Sequence, residues 1–182
     1  MTISVKKMTT LGILSSLAVL LMFYIRFPII PAASYLMYEP ADVPVVFGAF
    51  MFGPVAGLIV TFVVSFIQAI TVNAAEGWVG FIMHFIATGT LAVVAGSIYK
   101  KIPTIKGAVF ALVAGSLSMA AIMIPANLIF TVHFFGVPHD VVVKSIWPII
   151  IPFNLIKASV NSTLAVLVYK SIGRLIHRYA AI

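Results

Sequence analysis

The sequence predicts an all-α integral membrane protein, a six-helix bundle with its N- and C-termini in the cytoplasm. Hydrophobic residues make up 63% of the 182 residues and charged residues 8%, and the mean hydropathy is +1.21. A soluble domain normally carries about a quarter charged residues. The chain contains no cysteine, which excludes disulfides and thiolate chemistry. We therefore expect residues 1–182 to form a single transmembrane domain.

Five apolar runs, at about 8–27, 43–72, 79–99, 108–132 and 146–172, mark the expected helices. The first run has about 20 residues, enough to span a bilayer. A secretory signal peptide is the alternative for this run, although Ala32-Ala33 is a poor cleavage site. The second run is too long for one ordinary span, and Gly53-Pro54 interrupts it. Each of the last three runs has the length of one span.

The basic residues indicate that the second run forms two helices. If the N-terminus is cytoplasmic and 43–72 forms one helix, the connection at 100–106 lies outside the cell. If 43–72 forms two helices, this connection lies in the cytoplasm. Two helices follow the positive-inside rule, because eight of the eleven bases then lie inside. These are Lys6, Lys7, Lys100, Lys101, Lys106, Lys170, Arg174 and Arg178. Arg26, Lys144 and the four acids (Glu39, Asp42, Glu76, Asp140) fall outside, and the second helix, about 43–52, is too short to cross fully.

Lys157 lies inside the last run, with Asn154 three residues before it and Asn161 four after, so the three share one helical face. A lysine near the middle of a span costs about 2.5–3.5 kcal/mol on insertion scales and should face a cavity or a partner. No acid lies within the expected spans to pair with it. The structural alternative is that it reaches the surface or caps carbonyls freed near Pro148 and Pro152.

Other polar side chains of the expected spans lie in the outer half of the bilayer. They are Gln68, Thr71, His84, Thr88 and Asn127. At about 1.5 Å rise per residue, they and the lysine face lie roughly 5–18 Å below the outer surface. We therefore expect an outward-facing pocket for a small polar molecule, contacted by Gln68 and His84 among others. Residues 35–42 and 75–78 would form its lid, with Trp78 and Trp147 nearby. Hydrogen bonds between helices for Asn127 and Gln68, packing for His84 and an interfacial belt for the tryptophans are the alternatives.

Small residues at four-residue spacing allow helices to approach closely. Such motifs are Gly12-x-x-x-Ser16, Gly53-x-x-x-Gly57 and Gly107-x-x-x-Ala111-x-x-x-Gly115. Packing inside the bundle explains most motifs of this kind. The first helix differs because it is free to present its small face to another subunit.

The sequence lacks the motifs of several classes of enzyme and transporter. The sequence has no G-x-x-x-x-G-K-[ST], no H-E-x-x-H and no G-x-S-x-G, and it contains no paired, interrupted halves of an inverted repeat. We expect no enzymatic activity, metal or cofactor, and no nucleic-acid partner, since the bases sit in the connections beside membrane lipid. A binding subunit driven by a motor elsewhere fits this pattern, and a self-sufficient small carrier is the rival.

Four features resemble one family over essentially the whole chain. They are the basic N-terminus, the small-x-x-x-small first helix, the stretch YEPADVPVVFGAFMFGPVAGL at 38–58, and PIIIPFNLIKASVNS at 148–162. They resemble the substrate-binding S components of energy-coupling factor (ECF) vitamin importers, and most closely the riboflavin-binding branch. The resemblance implies a high-affinity vitamin-binding subunit in the prokaryotic cell membrane. It also implies a transmembrane coupling T subunit and two cytoplasmic ATPase subunits as partners.

The resemblance also implies roles for individual residues. Asn127, Asn154 and Lys157 match the ligand-binding residues of the riboflavin branch, and Gly12 and Ser16 match the contact with the coupling subunit, where the family usually has alanines. Gln68 is a departure, because riboflavin-type members often carry a basic Lys-Asn pair there. This departure leaves pantothenate, or a pyrimidine or pyridoxine precursor, as the alternative ligand.

Overall fold

The computed structural model describes residues 4–180, with side chains as far as Ser171. Helices α1 (Val5–Tyr24), α2 (Asp42–Phe52), α3 (Pro54–Ile70), α4 (Gly77–Lys101) and α5 (Ile105–Ala126) are followed by a π-helical turn, Asn127–Thr131. Helix α6 comprises His139–Ser145, a second π-helical turn at Ile146–Ile150, and Ile151–Ala180. Between α1 and α2 lie strands β1 (Phe27–Pro28) and β2 (Met37–Tyr38) and a 3-10 turn, Pro31–Ala33. The described chain thus contains the six predicted helices.

The break between α2 and α3 falls at the predicted dipeptide. Gly53 has φ +87°, a left-handed conformation that glycine adopts without strain, and Pro54 opens α3. Helix α2 has 11 residues, about 16 Å of helix, which is short of the roughly 30 Å hydrocarbon core. Helices α1, α4, α5 and α6 are long and apolar enough to cross a membrane. The six-helix fold of an integral membrane protein is confirmed.

Helix α2 lies at the centre of the bundle. Ten of its 11 residues are buried, and it packs against α1, α3, α4 and α6. Helix α1, by contrast, is peripheral, and it buries only a stripe formed by Leu11, Ser15, Ala18 and Met22 against α2 and α3. Much of the rest of α1 is exposed, including the apolar side chains of Ile13, Leu17, Leu20 and Phe23. The bundle is therefore ordered around α2, and α1 retains a free face.

Glycines permit the closest helix contacts. A Cβ atom on Gly57 would lie 2.8 Å from the Cβ of Ala49 and 3.0 Å from that of Ala92, so α3 touches α2 and α4 at this point. A Cβ on Gly115 would lie 3.1 Å from the carbonyl oxygen of Leu91. A Cβ on Gly12 would meet nothing within 4 Å. Internal packing accounts for Gly57 of α3 and Gly115 of α5, and the Cβ position of Gly12 on α1 is open.

We expect Gly57→Ala to lower the free energy of unfolding by about 1–3 kcal/mol, because the added methyl group would be too close to the side chains of α2 and α4. Gly12→Ala makes the same chemical change on an open helix surface, where alanine is favoured by up to about 1 kcal/mol. Thermal unfolding of the two detergent-purified variants checks the prediction. Equal melting temperatures would contradict the tight α2–α3–α4 contact.

Candidate ligand-binding site

A cavity of about 610 Å³ lies at the end of the bundle that carries the β1–β2 connection. Its volume is in the range of small-molecule sites, roughly 300–1,000 Å³. The five predicted contact residues all line it: Gln68, His84, Asn127, Asn154 and Lys157. These side chains come from α3, α4, the turn that follows α5, and α6. The structure therefore brings together residues that were predicted to lie at a similar depth in the membrane. Much of the remaining wall is apolar and includes Met83, Met119 and Met123.

Lys157 has a buried partner that the sequence analysis missed. Its Nζ donates a hydrogen bond to Glu39 Oε1 at 2.6 Å, and the two residues are 4% and 1% exposed. The expectation that no acid pairs with Lys157 was wrong, because Glu39, which was expected in an outer connection, is buried against the lysine. Strand β2 pairs antiparallel with β1 and delivers Glu39 into the helix bundle. The signal available in the sequence was the lysine itself, since a buried charge requires a counter-charge.

Asn161 shares the helical face of Lys157, as predicted, but it does not line the cavity. Its Nδ2 donates to the Glu39 carbonyl oxygen at 3.1 Å and to Asp42 Oδ2 at 2.9 Å, and its Oδ1 accepts from the Tyr38 hydroxyl at 2.9 Å. Burial and the nearby Asp42 charge raise the pKa of the Tyr38 phenol. Asn161 therefore anchors the segment that carries Glu39.

Two threonines from the predicted polar set also lie outside the cavity lining. Thr88 is buried and donates to Asp42 Oδ1 at 2.8 Å, so each oxygen of that carboxylate accepts a hydrogen bond. Thr71 is exposed and donates back to the carbonyl oxygen of Ile67 in its own helix. Thr88 thus supports the network behind Glu39, and Thr71 takes no part in the site.

The wall beside the ion pair carries polar atoms that have no hydrogen-bond partner among the described residues. They are Glu39 Oε2, Gln68 Oε1 and His84 Nε2. His84 Nδ1 lies 2.7 Å from Ser65 Oγ, which fixes the ring, and Nε2 lies 3.7 Å from Glu39 Oε1. Buried polar atoms are nearly always hydrogen-bonded in folded proteins. Because the residues that carry these buried atoms line the cavity, the atoms are candidates for hydrogen bonds to a ligand.

Both predicted asparagines lie at π-helical turns. Asn127 begins the turn of α5, where its Nδ2 donates to the Met123 carbonyl oxygen at 2.8 Å and its Oδ1 accepts from Thr131 at 3.0 Å. Asn154 follows the turn of α6 and donates to the Ile150 carbonyl oxygen at 2.8 Å. A carboxamide can make about four hydrogen bonds, so each amide retains capacity toward the cavity. Single π-helical turns frequently occur at functional sites.

The mouth of the cavity is formed by the two predicted lid segments, since residues 35–37 and Glu76 line it. Arg26 Nη2 donates to Asn73 Oδ1, and Asn73 Nδ2 donates to Glu76 Oε2 at 3.0 Å, which links the first connection to the α3–α4 loop. Burial raises the pKa of the Glu76 carboxyl group, and the Asn73 hydrogen bond and the Arg26 charge oppose that rise. The mouth is therefore a hydrogen-bonded rim.

The two tryptophans do not belong to the cavity wall. Trp78 packs its ring against Phe134, with centroids 4.9 Å apart, and is 55% exposed. Trp147 is 78% exposed. Their exposure fits the interfacial alternative.

The fold and the cavity define a class, a membrane-embedded helical bundle that binds a small molecule near one end. Residues 6–169 match the family described as "ECF transporter, substrate-specific component". The chain belongs to this family, which confirms the resemblance drawn from the sequence. The family is one of transporter components and is not an enzyme family.

Curated relatives cover nearly the whole chain. The riboflavin transporter RibU of Staphylococcus aureus (strain TCH60) is 29% identical over 179 residues, covering 95% of this chain and 93% of the relative. The riboflavin transporter FmnP of Bacillus subtilis (strain 168) is 29% identical over 174 residues, covering 91% and 90%. A solved structure, described as the S component of a bacterial ECF transporter, superposes with a TM-score of 0.80 at 29% identity and covers 94% of this chain and 97% of that one.

Proposed function

We propose that the chain is the high-affinity riboflavin-binding subunit of an ECF-type importer, a multi-pass protein of the prokaryotic cell membrane. The observation that carries the proposal is the convergence of Gln68, His84, Asn127, Asn154 and Lys157 on one cavity. The names of the relatives, which align over at least 90% of the chain, supply the vitamin.

The roles of the residues follow from their hydrogen-bonding groups. Lys157 donates toward ring carbonyl groups, and Asn127 and Asn154 offer both donors and acceptors, as the pyrimidine edge of a flavin requires. The methionine-rich wall packs against the flat apolar part of the ring, since thioethers contact aromatic rings favourably. A site of this kind binds and orients its ligand, and we assign no enzymatic activity to it.

The energy for uptake comes from partner subunits in this proposal, namely a transmembrane coupling T subunit and two cytoplasmic ATPases. The open small face of α1, with Gly12 and the exposed Ser16, is the proposed contact with the coupling subunit. Residues 1–182 act as one domain with both termini in the cytoplasm, and the cavity then opens outward. A self-sufficient carrier is disfavoured because the described cavity occupies only one end of the bundle.

Isothermal titration of the detergent-purified chain with riboflavin tests the proposal. We expect saturable binding with a Kd below about 1 μM, equivalent to about −8 kcal/mol or tighter. Tryptophan fluorescence gives a second readout by energy transfer to the flavin, since the tryptophans lie outside the cavity wall. The exposed substitution Trp147→Phe should change the quenching amplitude without changing Kd.

Vesicles that contain the chain alone provide the control for the division of labour. They should bind riboflavin without accumulating it. An absence of riboflavin binding would remove the vitamin from the proposal, and robust uptake by the chain alone would overturn the need for partner ATPases.

A further inference from the structure

The positive charge in the cavity is already neutralised by the protein. Among the described residues that line the cavity, Lys157 is the only lysine or arginine, and Glu39 holds it at 2.6 Å. Asp42 is linked to the Glu39 backbone through the Asn161 amide, and Glu76 adds another carboxyl group to the lining. His84, the remaining basic side chain of the lining, has its Nδ1 engaged with Ser65. The lining therefore has no unpaired cation to offer a carboxylate or phosphate.

The same wall has surplus acceptors. Glu39 Oε2 and Gln68 Oε1 are buried oxygen atoms without a hydrogen-bond donor among the described residues, and both residues line the cavity. Glu39 is 1% exposed and Gln68 is 5% exposed, so the protein shields both side chains from bulk water. A ligand that fills the cavity satisfies these oxygens only by presenting N–H or O–H groups to them. A ligand acceptor placed there would instead meet like partial charge.

We propose that Glu39 and Gln68 determine the specificity of the site. They select an uncharged ligand that donates hydrogen bonds to Glu39 Oε2 and Gln68 Oε1, and they exclude ligands that place an anion beside Lys157. This inference rests on the cavity being the ligand site of the proposed function, but it concerns the charge and the donors of the ligand. For a flavin, we assign the ring N3–H as the donor to Gln68 Oε1 and a ribityl hydroxyl group as the donor to Glu39 Oε2.

The first test compares three compounds on the wild-type chain by calorimetry, namely riboflavin, 3-methylriboflavin and pantothenate. A site built to hydrogen-bond an N–H rejects the analogue that lacks it strongly, and we expect at least about 100-fold weaker binding of 3-methylriboflavin. Pantothenate, a carboxylate, should show no saturable binding. Binding of 3-methylriboflavin within about threefold of riboflavin, or tight binding of pantothenate, would overturn the inference.

3-Methylriboflavin could bind weakly either because it lacks the N3–H donor or because its methyl group is too large for the site. Gln68→Ala distinguishes these causes, because it removes the acceptor and also makes room for the methyl group. It should weaken riboflavin binding and reduce the 100-fold preference over 3-methylriboflavin to about tenfold or less, as a double-mutant cycle measures. An unchanged preference would show that Gln68 does not receive the donor. This variant changes no charge, so its folding does not depend on the ion pair.

Glu39→Gln tests whether Glu39 excludes anionic ligands by neutralising Lys157. The substitution leaves the Lys157 ammonium group without its negative partner, and we expect about tenfold weaker riboflavin binding together with measurable pantothenate binding. Asp140→Asn is the matched control, because Asp140 is 67% exposed, pairs with Lys144 at the surface and does not line the cavity. Continued exclusion of pantothenate by folded Glu39→Gln protein would count against the role of Glu39.

The two proposals can fail separately. If the chain binds riboflavin and also binds pantothenate tightly, the specificity inference is wrong and the proposed function stands. If it binds another uncharged donor, such as pyridoxine or lumichrome, but neither riboflavin nor pantothenate, the vitamin assignment is wrong and the specificity inference is supported. Binding of no uncharged compound in this panel overturns both.

Discussion

Replacement of Lys157 with methionine is expected to lower riboflavin affinity about 100-fold or more and the free energy of unfolding by about 3–5 kcal/mol. The change removes the donor proposed to face the ligand. It also leaves Glu39, which is 1% exposed, as an uncompensated buried carboxylate. Calorimetry with riboflavin and thermal unfolding in detergent measure the two effects on the same preparation.

A double variant separates the two consequences. Lys157→Met combined with Glu39→Gln removes both charges, and stability should return to within about 1–2 kcal/mol of the wild type, since replacing a buried ion pair by uncharged residues is often close to neutral. Riboflavin binding should stay weak because the cavity lacks its donor.

Lys144→Met is the matched control, because Lys144 is 79% exposed and pairs with Asp140 one helical turn away. It should change stability by less than about 1 kcal/mol. Retention of riboflavin affinity by Lys157→Met would show that the lysine serves structure alone.

The features that the sequence predicts well are those with local physical causes. The α2–α3 break follows from Gly53-Pro54, where the chain needs a left-handed residue and then a helix start. The grouping of polar side chains follows from the cost of burying them in lipid, which requires them to share a cavity. For this reason Gln68, His84, Asn127, Asn154 and Lys157 could be placed together from the sequence alone.

The features that the sequence analysis missed depend on contacts between distant parts of the chain. Glu39 and Lys157 are 118 residues apart, and the β1–β2 pairing together with the hydrogen bonds of Asn161 places the glutamate beside the lysine. Counting charges loop by loop assigns an acid between two spans to the water phase, which is where the expectation for Glu39 failed. The π-helical turns beside Asn127 and Asn154 are likewise invisible to a periodicity of 3.6 residues, because each is a local departure from it.

Asn161→Leu is expected to lower the free energy of unfolding by about 3 kcal/mol or more, although Asn161 does not line the cavity. Leucine has a similar size but leaves three buried partners without their hydrogen bonds, namely the Glu39 carbonyl, Asp42 Oδ2 and the Tyr38 hydroxyl. These bonds hold the segment that places Glu39 beside Lys157. Riboflavin binding should therefore weaken about tenfold through displacement of Glu39, even though Asn161 itself lies outside the cavity lining.

Tyr38→Phe is the graded comparison for this prediction, because it removes one of the three hydrogen bonds of Asn161 and retains the ring that packs against Phe27. It should cost about 1 kcal/mol, the usual net value of one buried hydrogen bond. Denaturant unfolding gives the stability of both variants, and calorimetry gives their riboflavin affinity. Tyr38→Phe should still hold Glu39 in place, so saturating riboflavin should raise its melting temperature nearly as much as that of the wild type. Asn161→Leu should displace Glu39, so its melting temperature should rise much less. Equal ligand-induced shifts in all three proteins would show that Asn161 does not position Glu39.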